Sequence, residues 1–387
     1  MRKQKNLLVI APFFRPSLGG AETYINELCE FFRKHNYFVN VFSYQPVIIS
    51  GIRGKKLERL KNMEIRRFSW IGHDIFHKFQ HYPIIIFIYL VPYLFIRCFF
   101  WMLRNHKKID VIDAEGLNAA FIAKALGFLF KKPIMISILA LYNFVPSSFF
   151  AKVVAWTLKG ADRILVEKGK SADELESIGL KKDKFVIFNQ WVDQKRFKPA
   201  NKKEIKDQLG WKNKFIVLFV GRAIPEKGAS ILLEASREVN NDINFVFISN
   251  KGPVTADIVS ESKRKKNIIF LGEVNPLELH KYYQASDIFC LPSKYEEGAA
   301  RVISESISCG TPIIASNMGS TPYVLDKSVA ILISPKAKEF SKNIEYLYKD
   351  QGKLKQMTEN CNDFAINNFG EKNIYLIYKA AEELAKK

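Results

Sequence analysis

Short apolar segments of strand length alternate with helical stretches along this chain, and the alternation restarts after Pro199. Strands of this kind, separated by helices, are typical of parallel sheets covered on both faces. We therefore predict an α/β protein with two doubly wound, Rossmann-like domains. Residues 1–188, joined by a C-terminal helix at 369–387, would form the first domain, and residues 189–368 would form the second.

The alternation also places the individual elements. Strands are predicted at 7–11, 38–42, 109–112, 133–138 and 163–166, and then at 215–220, 244–248, 268–271, 287–291 and 312–315. Helices are predicted at 21–34, 117–128, 228–239, 276–285 and 299–308, with a pair of closing helices over roughly 340–387. Ligands of doubly wound sheets bind beyond the carboxyl ends of the strands, so a cleft between the two domains is the expected site.

The net charge of +20 over 387 residues is concentrated in the first half, where residues 1–188 carry 29 Lys and Arg against 15 Asp and Glu. A basic surface suits nucleic acid or anionic lipid. The aromatic residues are not interleaved with basic residues as a base-stacking platform requires, so we expect no nucleic-acid partner. An anionic membrane surface is the expected partner, and a solvated Lys-rich surface without a specific role is the alternative.

The five cysteines are scattered and no pair has CxxC spacing, so neither a zinc site nor a disulfide framework is predicted. A reducing, cytoplasmic compartment is the plain interpretation. Near the N-terminus, Pro12 and Arg15 close the apolar run at 7–11 early. We therefore predict a buried first strand there and not a signal peptide.

Residues 79–104 form an unusually apolar segment in which Arg97 is the only charged residue before Arg104. A membrane span needs about 20 apolar residues, but two prolines and Arg97 count against one here. A stripe of Tyr82, Tyr89, Tyr93, Arg97 and Arg104 recurs at helical spacing. The pattern predicts a helix lying in a membrane interface, with a buried helix of the first domain and a true span as alternatives. Flanking basic residues that would meet anionic lipid are Arg66, Arg67, Lys78, Arg104, Lys107 and Lys108.

Two glutamates eight residues apart, Glu297 and Glu305, bracket the start of a predicted helix. Between them, Gly298, Ala299 and Ala300 are small enough for a ligand to approach the helix N-terminus, where free N–H groups favour a phosphate. Glu305 is placed to accept hydrogen bonds from ribose hydroxyls, and Glu297 from the hydroxyls of a sugar. On spacing alone, two surface glutamates beside a helix start remain the alternative.

Arg222 and Lys227 lie on the loop between the first strand of the second domain and its helix. Two cations at such a turn can clamp a diphosphate, because arginine offers a planar fork and lysine a point charge. In the first domain, Gly19 and Gly20 join a strand to a helix and allow a tight turn with exposed backbone. A helix-start loop without a ligand explains the two glycines equally well.

These motifs resemble the retaining glycosyltransferases of family 4 over nearly the whole chain. The strongest part is the Glu-x7-Glu motif at 297–305 with the segment 310–316 after it, and the segment 221–228 is nearly as specific. Two departures stand out. Members commonly have Gly-Phe-Gly where this chain has residues 298–300, and many carry a histidine near the strand at 134–139, where this chain has none. We therefore assign no catalytic histidine.

The resemblance implies the GT-B fold and specific residue roles. Arg222 and Lys227 would stabilise the leaving diphosphate of the donor, Glu305 would hold the ribose, and Glu297 the donor sugar. Glu297, Arg222 and Lys227 are the implied catalytic residues, while Gly298, Ala299 and Glu305 complete the donor site. Gly19 and Gly20 would border the diphosphate and the acceptor from the first domain.

The resemblance further implies transfer of a sugar from a nucleotide-diphosphate sugar with retention, without a metal or another cofactor. Together with the apolar segment, it implies a lipid-linked glycan or glycolipid acceptor and a cytoplasmic enzyme peripherally associated with the membrane. The alternatives are a soluble GT-B sugar-nucleotide epimerase or hydrolase, and an inactive sugar-binding relative.

Overall fold

A computed structural model describes residues 4–17, 19–47, 51–71, 75–79, 82–296, 298 and 300–386. The chain divides into two compact units. Unit 1 comprises Met1–Glu167, Ser171–Phe188 and Ile374–Lys387. Unit 2 comprises Lys168–Lys170 and Asn189–Asn373.

The first part of the chain contributes eight strands and six helices to the described structure. The strands are β1 (Lys5–Ile10), β2 (Tyr37–Tyr44), β3 (Leu57–Leu60), β4 (Met63–Phe68), β5 (Val111–Glu115), β6 (Ile134–Ile138), β7 (Arg163–Glu167) and β8 (Phe185–Phe188). The helices are α1 (Gly20–Lys34), α2 (Ile75–Phe79), α3 (Pro83–Asn105), α4 (Leu117–Phe130), α5 (Phe149–Lys159) and α6 (Lys170–Ser177).

The rest of the chain contributes six strands and nine helices to the described structure. The strands are β9 (Phe215–Val220), β10 (Ile243–Ile248), β11 (Ile268–Gly272), β12 (Ile288–Leu291), β13 (Ile313–Ser316) and β14 (Ala330–Ile333). The helices are α7 (Lys202–Gln208), α8 (Ala229–Ala235), α9 (Thr255–Arg264), α10 (Leu279–Gln284), α11 (Arg301–Ser308), α12 (Thr321–Val324), α13 (Ala337–Lys349), α14 (Gln351–Phe369) and α15 (Lys372–Leu384). Three helices therefore close the chain, where the sequence predicted a pair.

The sheet of unit 1 has the strand order β3-β4-β2-β1-β5-β6-β7-β8. All its pairs are parallel except β3 with β4, which form an antiparallel edge. β1 is buried at the centre, as predicted, with Leu8 opposite Asn40 of β2 on one side and Ile112 of β5 on the other. The chain moves outward from β1 in both directions, so the topological switch point lies between β1 and β5.

The sheet of unit 2 is entirely parallel and has the order β11-β10-β9-β12-β13-β14. Its switch point lies between β9 and β12, where Val217 pairs with Ile288. Buried aliphatic and aromatic side chains cover both faces, in line with strands that read as continuous apolar runs. Both units are thus parallel-sheet α/β domains, which confirms the predicted fold class.

Helix α3 contains most of the apolar segment at 79–104. One row of its side chains, including Leu90, Leu94 and Cys98, is buried against α4 and the first sheet. The helix from Pro83 through Lys108 is long and apolar enough to cross a membrane, and about a third of its most apolar stretch is buried in the protein. By itself this is weak evidence for a span, because core helices pass the same test.

Tyr89 and Tyr93, in the middle of the predicted Tyr/Arg stripe, contact the protein, whereas Tyr82 and Arg97 are exposed. The Tyr89 hydroxyl donates to the carbonyl oxygen of Ile71 at 2.8 Å, and Tyr93 stacks on Trp70 with ring centroids 4.5 Å apart. The guanidinium of Arg97 lies 4.7 Å from the ring centroid of Phe68. The outward face of α3 lies opposite its buried row and is mainly apolar: Ile84, Ile88, Ile96, Phe100 and Leu103 are exposed.

The prediction that Arg67 faces lipid is wrong. Arg67 is only 3% exposed, and it pairs with Glu58 at 2.8 Å while donating to the carbonyl oxygens of Arg15 and Lys55. These partners fix the guanidinium within unit 1, so it is not available to anionic lipid.

Candidate functional site

The loops that follow β9 and β12 lie next to each other at the switch point of the second sheet. Ligands of open α/β sheets bind at such a point, beyond the carboxyl ends of the strands. The predicted diphosphate clamp at 221–228 follows β9, and the loop leading to Glu305 follows β12. The fold thus brings together two motifs that are about 70 residues apart in sequence.

Gly228 fixes the distance between these two loops. Its φ of +72° lies in the left-handed region, and a Cβ at this position would lie 1.8 Å from the carbonyl oxygen of Pro292. Only glycine fits both conditions. The amide of Lys294 donates to the carbonyl oxygen of Glu226 at 2.8 Å, which ties the two loops together a second time.

The two predicted cations lie on the loop that follows β9. Arg222 is exposed, and Lys227 is half-buried at the end of a short 3₁₀ turn, Pro225–Lys227. The ammonium of Lys227 lies 5.3 Å from the ring centroid of Tyr295, on the facing loop. A cation above an aromatic ring is attracted to it and loses side-chain freedom, so Lys227 is directed toward the loop after β12.

The loop after β12 is held by a side chain from outside the two predicted motifs. The Lys170 ammonium contacts both carboxylate oxygens of Glu296 at 2.6 Å, and the Lys170 amide donates to the Ser320 hydroxyl at 3.2 Å. All three residues belong to unit 2. Glu297 and Ala299, which the sequence assigned to the donor site, lie outside the described residues.

Helix α11 begins where the sequence expects a phosphate to be bound, although it starts two residues later than predicted. Ala300 occupies the position before the helix with extended backbone, and its methyl side chain cannot accept a hydrogen bond from the first turn. Gly298, two residues earlier, adds no side chain. The start of α11 therefore carries the positive end of the helix dipole without a side-chain cap from Ala300, which favours an anionic group.

Glu305 is buried, at 7% exposure, and Tyr283 and Arg301 are among its partners. Its Oε2 accepts a hydrogen bond of 3.0 Å from the Tyr283 hydroxyl, and its Oε1 accepts one of 3.0 Å from Arg301 Nε, one turn earlier on α11. Burial, with the charge of Glu305 adding to it, raises the pKa of Tyr283 well above its ordinary value, so Tyr283 remains a donor. The carboxylate is thereby fixed in orientation, and each oxygen can accept more than one hydrogen bond.

The sequence pointed to Glu305 but not to the side chains that orient it. Arg301 lies four residues before Glu305, a helical spacing that favours an ion pair and was open to detection. Tyr283 lies 22 residues before Glu305, on a different helix, and no local pattern connects them. Lys170 is still further from its partner Glu296, at 126 residues.

In unit 1, Gly19 and Gly20 are exposed at the start of α1, on the loop that follows β1. The φ of Gly19 is 177°, an extended backbone that any residue adopts, so no left-handed turn is required here. The carbonyl oxygen of Gly19 accepts hydrogen bonds from the amide and the hydroxyl of Thr23, at 3.0 and 2.8 Å. The two glycines thus leave backbone exposed at the switch point of the first sheet.

Two carboxyl groups lie buried beside that switch point, and the sequence did not suggest them as a pair. Asp113 and Glu115 alternate along β5, so they share one face of the sheet, and they are 0% and 7% exposed. Burial raises the pKa of Asp113 to about 7, and burial together with the charge of Asp113 raises that of Glu115 well above its ordinary value. The Tyr24 hydroxyl of α1 has its own pKa raised by burial first and then by these carboxyl groups.

Within the described part of the chain, no group of three or more His, Cys, Asp or Glu side chains could hold a metal ion. The five cysteines are buried and free, so none forms a disulfide.

Comparison with sequence families gives two adjoining matches. The model described as "Glycosyltransferase Family 4" matches residues 18–196, and the model described as "Glycosyl transferases group 1" matches residues 201–364. Together they span both units.

Two curated relatives and one solved structure illustrate the similarity. An uncharacterised glycosyltransferase of Methanocaldococcus jannaschii is 26% identical over 98% of each chain. The N,N'-diacetylbacillosaminyl-diphospho-undecaprenol alpha-1,3-N-acetylgalactosaminyltransferase of Campylobacter jejuni is 25% identical over 68% of this chain and 74% of that protein. HepE of Anabaena, solved in complex with UDP, superposes with a TM-score of 0.76 at 18% identity and covers 99% of this chain and 100% of its own.

Proposed function

Since the chain belongs to glycosyltransferase family 4 and has the GT-B fold, we propose that it transfers a sugar, with retention, from a nucleoside-diphosphate sugar to a lipid-linked glycan or glycolipid at a membrane surface. The observation that carries the proposal is the close approach of Gly228 to Pro292. It joins the loop bearing two cations to the loop that opens α11, and places both at the switch point of the second sheet.

We assign the donor diphosphate to this place. Arg222 and Lys227 neutralise the negative charge that grows on the leaving diphosphate, and the start of α11 adds the positive end of its dipole. Charges that are already in position need no reorganisation when the bond to the sugar breaks, so they lower the barrier. Three sources of positive potential at one site make a bound metal unnecessary, and we propose that transfer continues in the presence of a chelator.

Glu305 is assigned to the ribose of the donor, because Tyr283 and Arg301 hold its carboxylate in one orientation beside the start of α11. Glu297 is assigned to the hydroxyls of the donor sugar, and Gly298 and Ala299 to the close approach of the donor. In unit 1, the exposed backbone at Gly19 and Gly20 is assigned to the acceptor side of the reaction.

Two features support a lipid-linked acceptor. The name of the Campylobacter jejuni relative describes transfer to an undecaprenol-linked diphosphate sugar. In addition, the outward face of α3 exposes apolar side chains, with Ile84 at 70% and Ile88 at 63% exposure. A helix with such a face gains free energy by entering the interface of a bilayer.

The donor is identified by thermal stabilisation of the full chain with UDP, GDP, ADP and their sugars. A ligand at 100 times its dissociation constant stabilises by about 2.7 kcal/mol, so the correct nucleotide is easily recognised. Transfer to a short-chain polyprenyl-diphosphate sugar then tests the acceptor, and NMR of the anomeric centre tests retention. Reversible change at a sugar carbon of the donor, without transfer, would instead identify an epimerase, and donor binding with no turnover would identify an inactive sugar-binding relative.

The membrane part is tested with Ile84→Ser and Ile88→Ser together. Phe87 is left unchanged, because its ring packs on Phe121 with centroids 4.7 Å apart. The double variant is expected to bind anionic liposomes less and to hydrolyse the donor in water at the wild-type rate. Retention on membranes after both high-salt and carbonate washing would indicate a true span by α3.

A further inference from the structure

Resting on the proposed function, we propose that the membrane-docking surface of unit 1 is the combined outer face of α3, α4 and α5, not α3 alone, and that its occupant is an anionic lipid bilayer. These three helices lie over one face of the first sheet, where a single buried core joins them. α3 packs on α4, and α4 packs on α5. A single surface can therefore contact all three.

The apolar exposure of α3 continues onto its neighbours. Phe128 and Leu129 at the end of α4 are 84% and 53% exposed. On α5, Phe149 is 80% and Trp156 is 62% exposed. Large aromatic side chains exposed on neighbouring elements are unusual for a protein surface that contacts only water, and such patches mark sites of interaction.

The charge of this helical layer fits an anionic surface. No Asp or Glu occurs in α3, α4 or α5, nor anywhere between residues 116 and 161. Cations are present on each helix or just after it, and exposed ones are Arg104, Lys107, Lys108, Lys131, Lys152 and Lys159. Aromatic side chains flanked by Lys and Arg, without acids, are the composition of a helix surface that lies on anionic lipid.

The other face of the same sheet is different. The side chains of Asp113 and Glu115 alternate with Ile112 and Ala114, which belong to the core under α3–α5, so the carboxyl groups point to the side of α1. α1 carries Glu22, Glu27 and Glu30, and none of its side chains is a large exposed apolar group. On the same side, α15 exposes Tyr375 and Leu376 at 39% and 42%, less than Phe128 and Phe149 on the other face. The contrast between the two faces favours docking by the α3–α5 face.

This surface also sets the orientation of unit 1. The helices of βαβ units run alongside the strands, so a bilayer against α3–α5 lies parallel to the sheet. The carboxyl edge of the sheet, with Gly19 and Gly20, then opens sideways along the membrane surface. A polar head group that projects from the bilayer can reach such an edge without leaving its lipid anchor.

The test uses the full chain, with vesicles of phosphatidylglycerol and phosphatidylcholine or of phosphatidylcholine alone. Phe149→Ser with Trp156→Ser is compared with a control, Leu277→Ser with Ile366→Ser, which removes side chains of similar exposure (62% and 55%) from unit 2. We expect the α5 variant to lose about tenfold or more of its partitioning into anionic vesicles, because two aromatic contacts are removed. The control should bind like the wild type, and both should hydrolyse the donor normally.

Brominated lipids provide a second readout, since they quench a tryptophan only at close range. Quenching of the wild type should fall in Trp156→Phe. Wild-type binding by the α5 variant, or equal binding of the wild type to both vesicle types, would overturn the proposal. The proposal would also be overturned if the wild type sedimented as a dimer and the α5 variant as a monomer, because this face would then bind a second copy of the chain. The α5 variant could lose vesicle binding while the wild type transfers sugar preferentially to a soluble glycan. That result would support this docking surface and refute the lipid-linked acceptor.

Discussion

Gly228 and Pro292 approach so closely that a methyl group on the glycine would lie 1.8 Å from the proline carbonyl oxygen. This contact sets the separation of the loops that follow β9 and β12. It explains why a residue at the start of α8, without any functional group, belongs to the candidate donor site.

Gly228→Ala is therefore expected to destabilise the protein and to reduce turnover. A good control is Gly210→Ala, because Gly210 also has a positive φ, of +71°, but has no atom within 4 Å of its would-be Cβ. Both substitutions carry the backbone cost of about 1–2 kcal/mol, and Gly228→Ala adds steric overlap costing about 1–3 kcal/mol more. Chemical denaturation and donor hydrolysis measure the two effects. Equal stability of the two variants would contradict the close approach.

The diphosphate clamp is tested by Arg222→Ala and Lys227→Ala. Each is expected to raise the barrier for turnover by about 2–4 kcal/mol, because each removes a charge that acts on the leaving group. Thermal unfolding of Arg222→Ala should be nearly unchanged, since this side chain is exposed. Lys212→Ala is the control, because Lys212 is an exposed cation before the amino end of the same strand, β9. Near-normal turnover in the Arg222/Lys227 double variant would refute this site.

The strands that were predicted well are those that read as apolar runs, such as 215–220, which is the range of β9. β3 was not predicted because its apolar and charged residues alternate on the exposed edge of the sheet, and β4 because charged residues interrupt its apolar ones, although four of its six side chains are buried. β8 and β14 were missed as well, since their apolar runs are only four residues long. Alternation at an exposed edge gives a weaker signal than a continuous apolar run.

The site residues also divide into those that the sequence predicts and those that it does not. The loop cations and Glu305 could be named from spacing, because strand, loop and helix follow one another in the chain. The contact of Tyr283 with Glu305 could not, since it depends on the packing of α10 beside α11. The buried pair at Asp113 and Glu115 was also missed, because two acids on an otherwise apolar strand gave no hint of their burial.

The roles of the two glutamates are separated by ligand binding. Glu305→Gln should weaken the binding of a nucleoside diphosphate and of its sugar derivative by the same factor, because both ligands carry the ribose. Glu297→Gln should weaken the binding of the sugar derivative only. Titration calorimetry with UDP and a UDP-sugar, or with the nucleotide chosen by thermal stabilisation, gives both affinities. If both variants lost affinity for the free nucleoside diphosphate to the same extent, the assigned roles would be refuted.

Tyr283→Phe tests whether the orientation of Glu305 matters. The substitution removes one hydrogen bond to a buried carboxylate, which is expected to cost about 1.5–3 kcal/mol, and leaves the ring packing in place. If Tyr283 positions Glu305, binding of the nucleoside diphosphate should weaken along with stability. A loss of stability with unchanged nucleotide affinity would mean that Tyr283 serves only the fold.

The buried pair in unit 1 predicts a dependence of stability on pH. Burial raises the pKa of Asp113 to about 7, whereas an aspartate in an unfolded chain has a pKa near 3.9. As pH rises from about 4 to about 7, the unfolded chain gives up a proton that the folded protein keeps, so the free energy of unfolding falls. The contribution of Asp113 ends once the pH has passed about 7, and Glu115, whose pKa is also raised, adds to the loss in the same direction. The wild type should therefore unfold at a lower temperature at pH 8 than at pH 5.

Asp113→Asn removes this carboxyl group and should flatten the pH dependence, by an amount on the order of 2–4 kcal/mol between pH 4 and pH 8. The slope of stability against pH is the readout, because the new amide forms hydrogen bonds of its own, which change the absolute stability. Asp207→Asn, at an exposed position near the end of α7, is the control and should keep the wild-type slope. Thermal unfolding at several pH values measures all three proteins. An Asp113→Asn slope equal to that of the wild type would show that Asp113 is not the group that titrates.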